Sequence, residues 1–140
     1  MDKDAILTRM ASIHFPDPGG VIIVGGTAMA MLGIRKAEDI DLLLSWQNWR
    51  YVSTLPDWRL TTSYGRRHFI SIDGDFDAWR WWFDTNARRR ISFQEIASHC
   101  LVTQAGYLLP AADYQIVMKR QLNRPKDRAD IERIVQHRST

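Results

Sequence analysis

Val21-Ile22-Ile23-Val24-Gly25-Gly26-Thr27 and, after eleven intervening residues, Asp39-Ile40-Asp41-Leu42-Leu43-Leu44 decide how this chain is read. The first stretch is a β-branched run with glycine on both sides, the pattern of a buried strand. Gly25-Gly26 lets the backbone turn sharply and lets a ligand approach where no Cβ stands in the way. Thr27 opens Ala28-Met29-Ala30-Met31-Leu32, good helix-forming material that Gly33 ends. A strand–Gly-Gly–helix turn leaves free N–H groups at the positive end of the helix dipole, a natural seat for phosphate. The Thr27 hydroxyl is expected to add a donor. In the second stretch, residues at alternate positions share one face of a strand, so Asp39 and Asp41 project together and Ile40 and Leu42 point the other way. Two like charges side by side repel unless a cation neutralises them, and carboxylate oxygens are natural ligands of Mg²⁺.

Each half alone says little. A Gly-Gly marks many turns, and a lone Asp-x-Asp is more often a solvated strand edge. Their conjunction in one strand–helix–strand unit carries the signal, which is a site for a nucleoside triphosphate and two divalent metal ions. Dinucleotide binding fits worse, because the chain has no G-x-G-x-x-G.

These residues resemble the signature of the DNA polymerase β-like nucleotidyltransferase superfamily: a glycine pair, roughly ten residues, then two acids separated by one hydrophobic. The flavour of Gly25-Gly26-Thr27-Ala28, Gly33-Ile34-Arg35 and Asp39-Ile40-Asp41-Leu42-Leu43 is similar to bacterial stand-alone members, among them antibiotic nucleotidyltransferases and abortive-infection toxins. A second resemblance lies in Lys119 to Ile131, where an Arg-Pro-Lys-Asp-x-x-Asp-hydrophobic run (Arg124 to Ile131) closes many such domains. The resemblance implies a nucleotidyltransferase fold, an α/β (α+β) arrangement of a small mixed sheet with flanking helices and a short helical tail. It also implies a third carboxylate on a later strand. Asp73, Asp75 and Asp77 are all in phase, and Phe76-Asp77-Ala78 matches the acid-between-hydrophobics pattern best. Asp73-Gly74-Asp75 reads as a turn.

On the same ground Lys119 and Lys126 are expected at the triphosphate, with Arg35 steadying the acidic strand or reaching a phosphate. Asp127 and Asp130 are read as structural, pairing with Arg124 or capping a helix. Ala37 departs from the pattern, since many relatives carry Thr or Ser there. The implied activity is transfer of a nucleoside monophosphate from an NTP to a hydroxyl acceptor (tRNA, protein or small molecule) with release of pyrophosphate. A toxin–antitoxin or phage-defence setting is expected, with a partner protein or homodimer completing the acceptor side. The alternative from another class is a non-catalytic nucleotide-binding or protein-interaction module with the same fold, and a third is a nucleic-acid binder using the arginine clusters.

Size and composition fit this reading. At 140 residues a single domain over 1–140 is expected. A lone Cys100 gives no disulfide framework, and no apolar leader or membrane-length stretch is visible, so a cytoplasmic protein is expected. Net charge is +3, with a pI near 9.3, which favours anionic partners. The positive charge gathers in Arg66-Arg67-His68, Arg88-Arg89-Arg90 and the C-terminal Lys/Arg series.

The remaining elements follow from periodicity and breakers. Helices are expected over 3–13, 46–55, 91–99, 111–122 and 126–137, and strands over 58–62, 67–72 and 75–82, with short extended pieces at 101–102 and 107–109. Tyr114, Val117 and Met118 are expected to face the core, as are Ile131, Ile134 and Val135. The run Trp79-Arg80-Trp81-Trp82-Phe83 suits core packing, with base stacking as the functional reading. His68 is the weaker contender for a general base, behind the third carboxylate.

Overall fold

The computed structural model describes residues 1–139 as a mixed α+β structure with six helices, a seven-stranded mixed sheet and a two-stranded ribbon. The chain opens with α1 (Lys3–Met10), capped by the Asp2 carboxylate on the Ala5 amide. Next come β1 (Val21–Ile23), α2 (Gly25–Met31), β2 (Ile40–Leu44) and α3 (Trp46–Val52). A hairpin of β3 (Trp58–Ser63) and β4 (Arg66–Ser71) leads to β5 (Phe76–Trp79). Its tip, Tyr64-Gly65, takes positive φ at both residues. The ribbon of β6 (Trp82–Asp84) and β7 (Arg89–Ile91), the short α4 (Phe93–Ala97), β8 (Cys100–Val102) and β9 (Leu108–Pro110) precede the closing pair α5 (Ala112–Leu122) and α6 (Pro125–Ser139).

The large sheet runs in the order β3-β4-β5-β2-β1-β9-β8. Its centre is parallel where β5 joins β2, with Asp77 opposite Asp41, and antiparallel where β2 joins β1. Both faces are covered, which is why β2 reads as a nearly continuous apolar run. On one face Ile23, Ile40, Leu42, Phe76 and Ala78 pack with Ile6 and Met10 of α1, Ala28 of α2 and Val52 of α3. On the other, Ile22, Val24 and Leu43 meet Trp82 and Ile91 of the ribbon, Ile96 of α4 and Met118 of α5. Asp41 shares the second face with Leu43, at the end of β2 where this cover stops. Asn48 locks the approach to β1: fully buried, its amide donates to the Asp17 and Gly20 carbonyls and its oxygen accepts from the Asp17 amide.

Three local expectations need correction. The strand expected over 75–82 is two strands in two sheets, because the chain bends at Arg80-Trp81 and sends Trp82 into the second core. Val117 and Val135 are exposed. The buried positions of α5 are Gln115, Ile116, Met118 and Lys119, and those of α6 are Asp127, Asp130 and Ile134. The inner surface of this helix pair is thus partly polar, and an ionic network explains it. Lys119 Nζ donates to Asp130 Oδ2 at 3.0 Å and lies 3.9 Å from Asp127 Oδ1. Arg35 grips both Asp130 oxygens, and Arg133 adds a further contact. Burial works against ionisation of Asp130, yet the bonds from Arg35 and Lys119 hold its carboxyl below the usual range.

Removing one partner of such a cluster strands the others. Asp130→Ala is expected to lower stability by about 3–5 kcal/mol in urea unfolding, and Lys119→Met combined with Asp130→Leu to recover most of it. An Asp130→Ala variant as stable as the parent would mean that the network carries no such weight.

Candidate acidic metal site

The β1–α2–β2 unit sets the site. Gly25 stands at φ +62°, a conformation that side chains rarely adopt, and a Cβ there would lie 2.9 Å from Asp41 Oδ2. A Cβ on Gly26 would lie 2.8 Å from Arg35 Nη2. The glycine pair therefore admits a carboxylate on one side and a guanidinium on the other. The N-cap Val24 makes no side-chain capping bond, so the first N–H groups of α2 are left without that partner.

Thr27 is fully buried, and its hydroxyl is spent inside the fold. It donates to the Asp39 carbonyl at 3.0 Å and accepts from the Asp41 amide at 2.8 Å. This corrects the expectation of a free hydroxyl donor. Thr27 instead fixes the backbone that carries both acids.

Asp39, Asp41 and Asp77 each offer a carboxylate oxygen, all lying within 4.8 Å of one another, and each residue is half-buried. The local cause is the i, i+2 spacing of Asp41, in β2, and Asp39, in the bend that leads into it. The non-local cause is the register that sets Asp77 of β5 directly across from Asp41. Asp41 has its pKa pushed up to about 7, first by burial and then by the charges of Asp39 and Asp77, against the opposing pull of Lys126 and Arg124. Asp77 is raised to about 6 by burial, by the Asp39 charge and by a hydrogen bond with Asp39. The donor set, three oxygens converging with an excess of negative charge, fits hard divalent cations such as Mg²⁺.

Neighbouring acids behave differently. Asp75 is paired with Arg9 at 2.6 Å and Asp73 with the same guanidinium at 2.8 Å. Asp73 also receives the Ser71 hydroxyl and the Asp75 amide, which hold its carboxyl below the usual range and shape the turn into β5. The geometry thus brings Asp77, and not Asp75, to Asp39 and Asp41.

His68 lies 3.3 Å from Asp77 through Nε2 and stacks on the Trp79 ring at 4.0 Å between centroids. It is buried, and burial lowers its pKa, which keeps the ring neutral. A neutral imidazole beside a carboxyl holds that carboxyl in place without adding charge.

The two lysines separate. Lys119 is committed to Asp130 and Asp127, which corrects its expected role at the triphosphate. Lys126 is exposed on the first turn of α6, and its charge is felt at Asp41. Arg124, missed as a site residue on sequence grounds, acts on Asp41 as well. Its guanidinium and backbone amide are gripped by Asp127, a bond that raises its pKa. The signal that could have found it is its place two residues before Lys126, at the start of a helix anchored by Asp127 and Asp130. Arg35, expected to steady the acidic strand or reach a phosphate, lies between Gly26 and Asp130 and ties the segment after α2 to α6.

Comparison of the chain with protein-family models, with curated proteins and with solved structures finds no match in any of the three. Among the described residues no helix is long and apolar enough to cross a membrane.

The raised carboxyls make a directional prediction for the metal-free protein. Folded Asp41 and Asp77 bind protons more tightly than unfolded aspartate, so their contribution to stability is fully present below about pH 4 and is lost as pH rises through about 6 to 7. In EDTA, Asp41→Asn is expected to stabilise the protein by about 1–3 kcal/mol at neutral pH and to flatten this pH dependence. Mg²⁺ is expected to raise the Tm of the parent and not of the variant. Thermal melts across pH with and without Mg²⁺ check both; an Asp41→Asn variant less stable than the parent in EDTA contradicts the repulsion argument.

Proposed function

We propose that the protein is a Mg²⁺-dependent nucleotidyltransferase that moves a nucleoside monophosphate from an NTP to a hydroxyl acceptor. The observation that carries this reading is the convergence of Asp39, Asp41 and Asp77 beside a glycine turn that a Cβ would obstruct. The resemblance of Gly25-Gly26 and Asp39-Ile40-Asp41 to the DNA polymerase β-like superfamily supports it. So does the topology, in which Asp41 and Asp77 lie on adjacent parallel strands, Asp39 directly precedes one of them, and the glycine turn opens the helix between β1 and β2. On this reading the mixed sheet is a nucleotidyltransferase fold with α5 and α6 as its short helical tail.

In the proposed reaction the acceptor oxygen forms a bond to the α-phosphorus, the bond from that phosphorus to the bridging α,β-oxygen breaks, and pyrophosphate leaves. Asp39 and Asp41 are the residues to hold the metal pair, with Asp77 on the acceptor side. Divalent ions bound there supply charge neutralisation for the triphosphate and a lowered pKa for the hydroxyl. Asp77, on the acceptor side, is the carboxylate to take the hydroxyl proton. His68 orients it. The amides of Gly25 and Gly26 face the phosphates, and Lys126 and Arg124 balance the charge on the outer side. Thr27 keeps Asp39 and Asp41 in position from beneath. Rate enhancement comes mainly from positioning and fixed charge, as for phosphoryl transfer generally.

Calorimetry with each NTP tests the binding step. Mg²⁺-dependent binding is expected for the parent, none for Asp39→Asn/Asp41→Asn, and binding weakened about tenfold or more for Lys126→Ala/Arg124→Ala, in line with loss of charge-assisted phosphate contacts. Absence of Mg²⁺-dependent binding to any NTP by the parent removes the reading.

A further inference from the structure

Six side chains outside the acidic site form a continuous alternation of arginine and aromatic ring. Arg66 of β4 lies over the Phe83 ring of β6 at 4.2 Å from its centroid. Phe83 is paired across the ribbon with Arg90 of β7, so the two share a face. Arg90 lies over Trp81 at 5.3 Å. Arg80 lies over the same Trp81 at 4.7 Å and over Trp46, at the start of α3, at 5.8 Å. Trp46 is 57% exposed and Trp81 38%, while the opposite face of the ribbon buries Trp82 and Ile91 in the core. The order is Arg66, Phe83, Arg90, Trp81, Arg80, Trp46.

The charges on this ladder are uncompensated. Arg9, Arg35, Arg89, Arg124, Arg133 and Arg138 each hold a carboxylate. Arg66, Arg80 and Arg90 pair with none among the described residues. Arg66 also stands near the Arg124 charge, and burial together with that repulsion lowers its pKa. A guanidinium lying over a ring keeps its in-plane N–H donors for another group, and the donors left over here call for an anion.

The ladder also has a direction. Arg66 sits two residues before His68 on the same face of β4, and His68 touches Asp77. The ladder therefore starts about 7 Å along the strand from the residue that contacts the acids, close to one nucleotide step, and runs from there across the ends of β5 and β2. Repeating planar surfaces with unpaired cations between them match a chain of stacked bases joined by phosphates, and match a peptide or a small drug poorly.

We infer that the Arg66–Phe83–Arg90–Trp81–Arg80–Trp46 ladder binds a single-stranded polynucleotide whose terminal hydroxyl is delivered to the acidic site. The acceptor assignment rests on the proposed nucleotidyltransferase reading; binding by the ladder does not. Bases stack on the exposed Trp46 and on the guanidinium planes that Trp81 supports, and the phosphates lie against the N–H donors of Arg66, Arg80 and Arg90. Duplex ends fit less well, because their bases are already stacked on one another.

The test uses the full chain carrying Asp39→Asn/Asp41→Asn, in EDTA, so that neither metal nor NTP binding enters. Anisotropy is measured with end-labelled oligouridylate and oligodeoxyuridylate of about ten nucleotides and with a duplex of the same length. At least one single strand is expected to bind more tightly than the duplex, with affinity falling as salt rises and tryptophan emission quenched. Preference between the two strands identifies the sugar. Arg80→Ala/Arg90→Ala is expected to weaken binding about tenfold or more and to reduce the salt slope, Trp81→Ala to weaken it with the slope kept, and Lys3→Ala/Arg138→Ala, which removes two charges outside the ladder, to change it little. Arg80→Lys/Arg90→Lys keeps charge and is expected to fall between. No binding, equal binding of duplex, or equal loss from the off-ladder variant overturns the inference. Failure of Mg²⁺-dependent NTP binding in the parent, with oligonucleotide binding intact, would instead remove the acceptor assignment alone.

Discussion

Three carboxylates held together by strand register are the constraint around which this structure is arranged. Pairing β2 with β5 in parallel places Asp77 opposite Asp41, and the bend leading into β2 adds Asp39. The pairing cannot slip by one residue without turning Leu42 and Ala78, both fully buried, out of the core. Hydrophobic burial on both faces of the sheet therefore imposes an electrostatic cost at one end of it. That cost appears as the upward shifts of Asp41 and Asp77. That repulsion, with a helix start and positive side chains beside it, is what the proposed metal-bound triphosphate would relieve.

The surroundings sort into groups that bear on the acids and groups that hold those in place. Gly25 and Gly26 leave room, and Thr27 ties the two acid-bearing backbones to α2. At the other end of the chain, Asp130 and Asp127 gather Arg35, Lys119 and Arg124. That buried network keeps the first turn of α6 where Lys126 and Arg124 act on Asp41. Buried ion pairs of this kind add little net stability over apolar packing, and their use here is positional.

Local features were legible in the sequence. The β-branched run, the glycine pair and the alternating acids announce β1, α2 and β2 because each signal lies within a few residues of its consequence. The Asp73-Gly74 turn is read in the same way. The meeting of Asp77 with Asp41 depends on a pairing across thirty-six residues, and no periodicity reveals it; a family resemblance pointed to it. Lys119 was expected at the triphosphate because it lies in the family-like C-terminal run, and only the buried Asp130 opposite shows why it faces inward. The side-chain period of α5 misled for the same reason, favouring Val117 where polar Gln115 and Lys119 occupy the inner face. The break between β5 and β6, and the ladder it exposes, came from tertiary packing of Trp82, which propensity cannot weigh.

Titration of the protein with Mn²⁺, followed by the loss of the free-ion EPR signal, tests the central claim most directly. Measured against a protein-free blank containing the same non-hydrolysable NTP analogue, the account predicts up to two additional ions bound per chain, and almost none for Asp39→Asn/Asp41→Asn at the same concentrations. Equal Mn²⁺ uptake by parent and variant, or none by the parent, would contradict it.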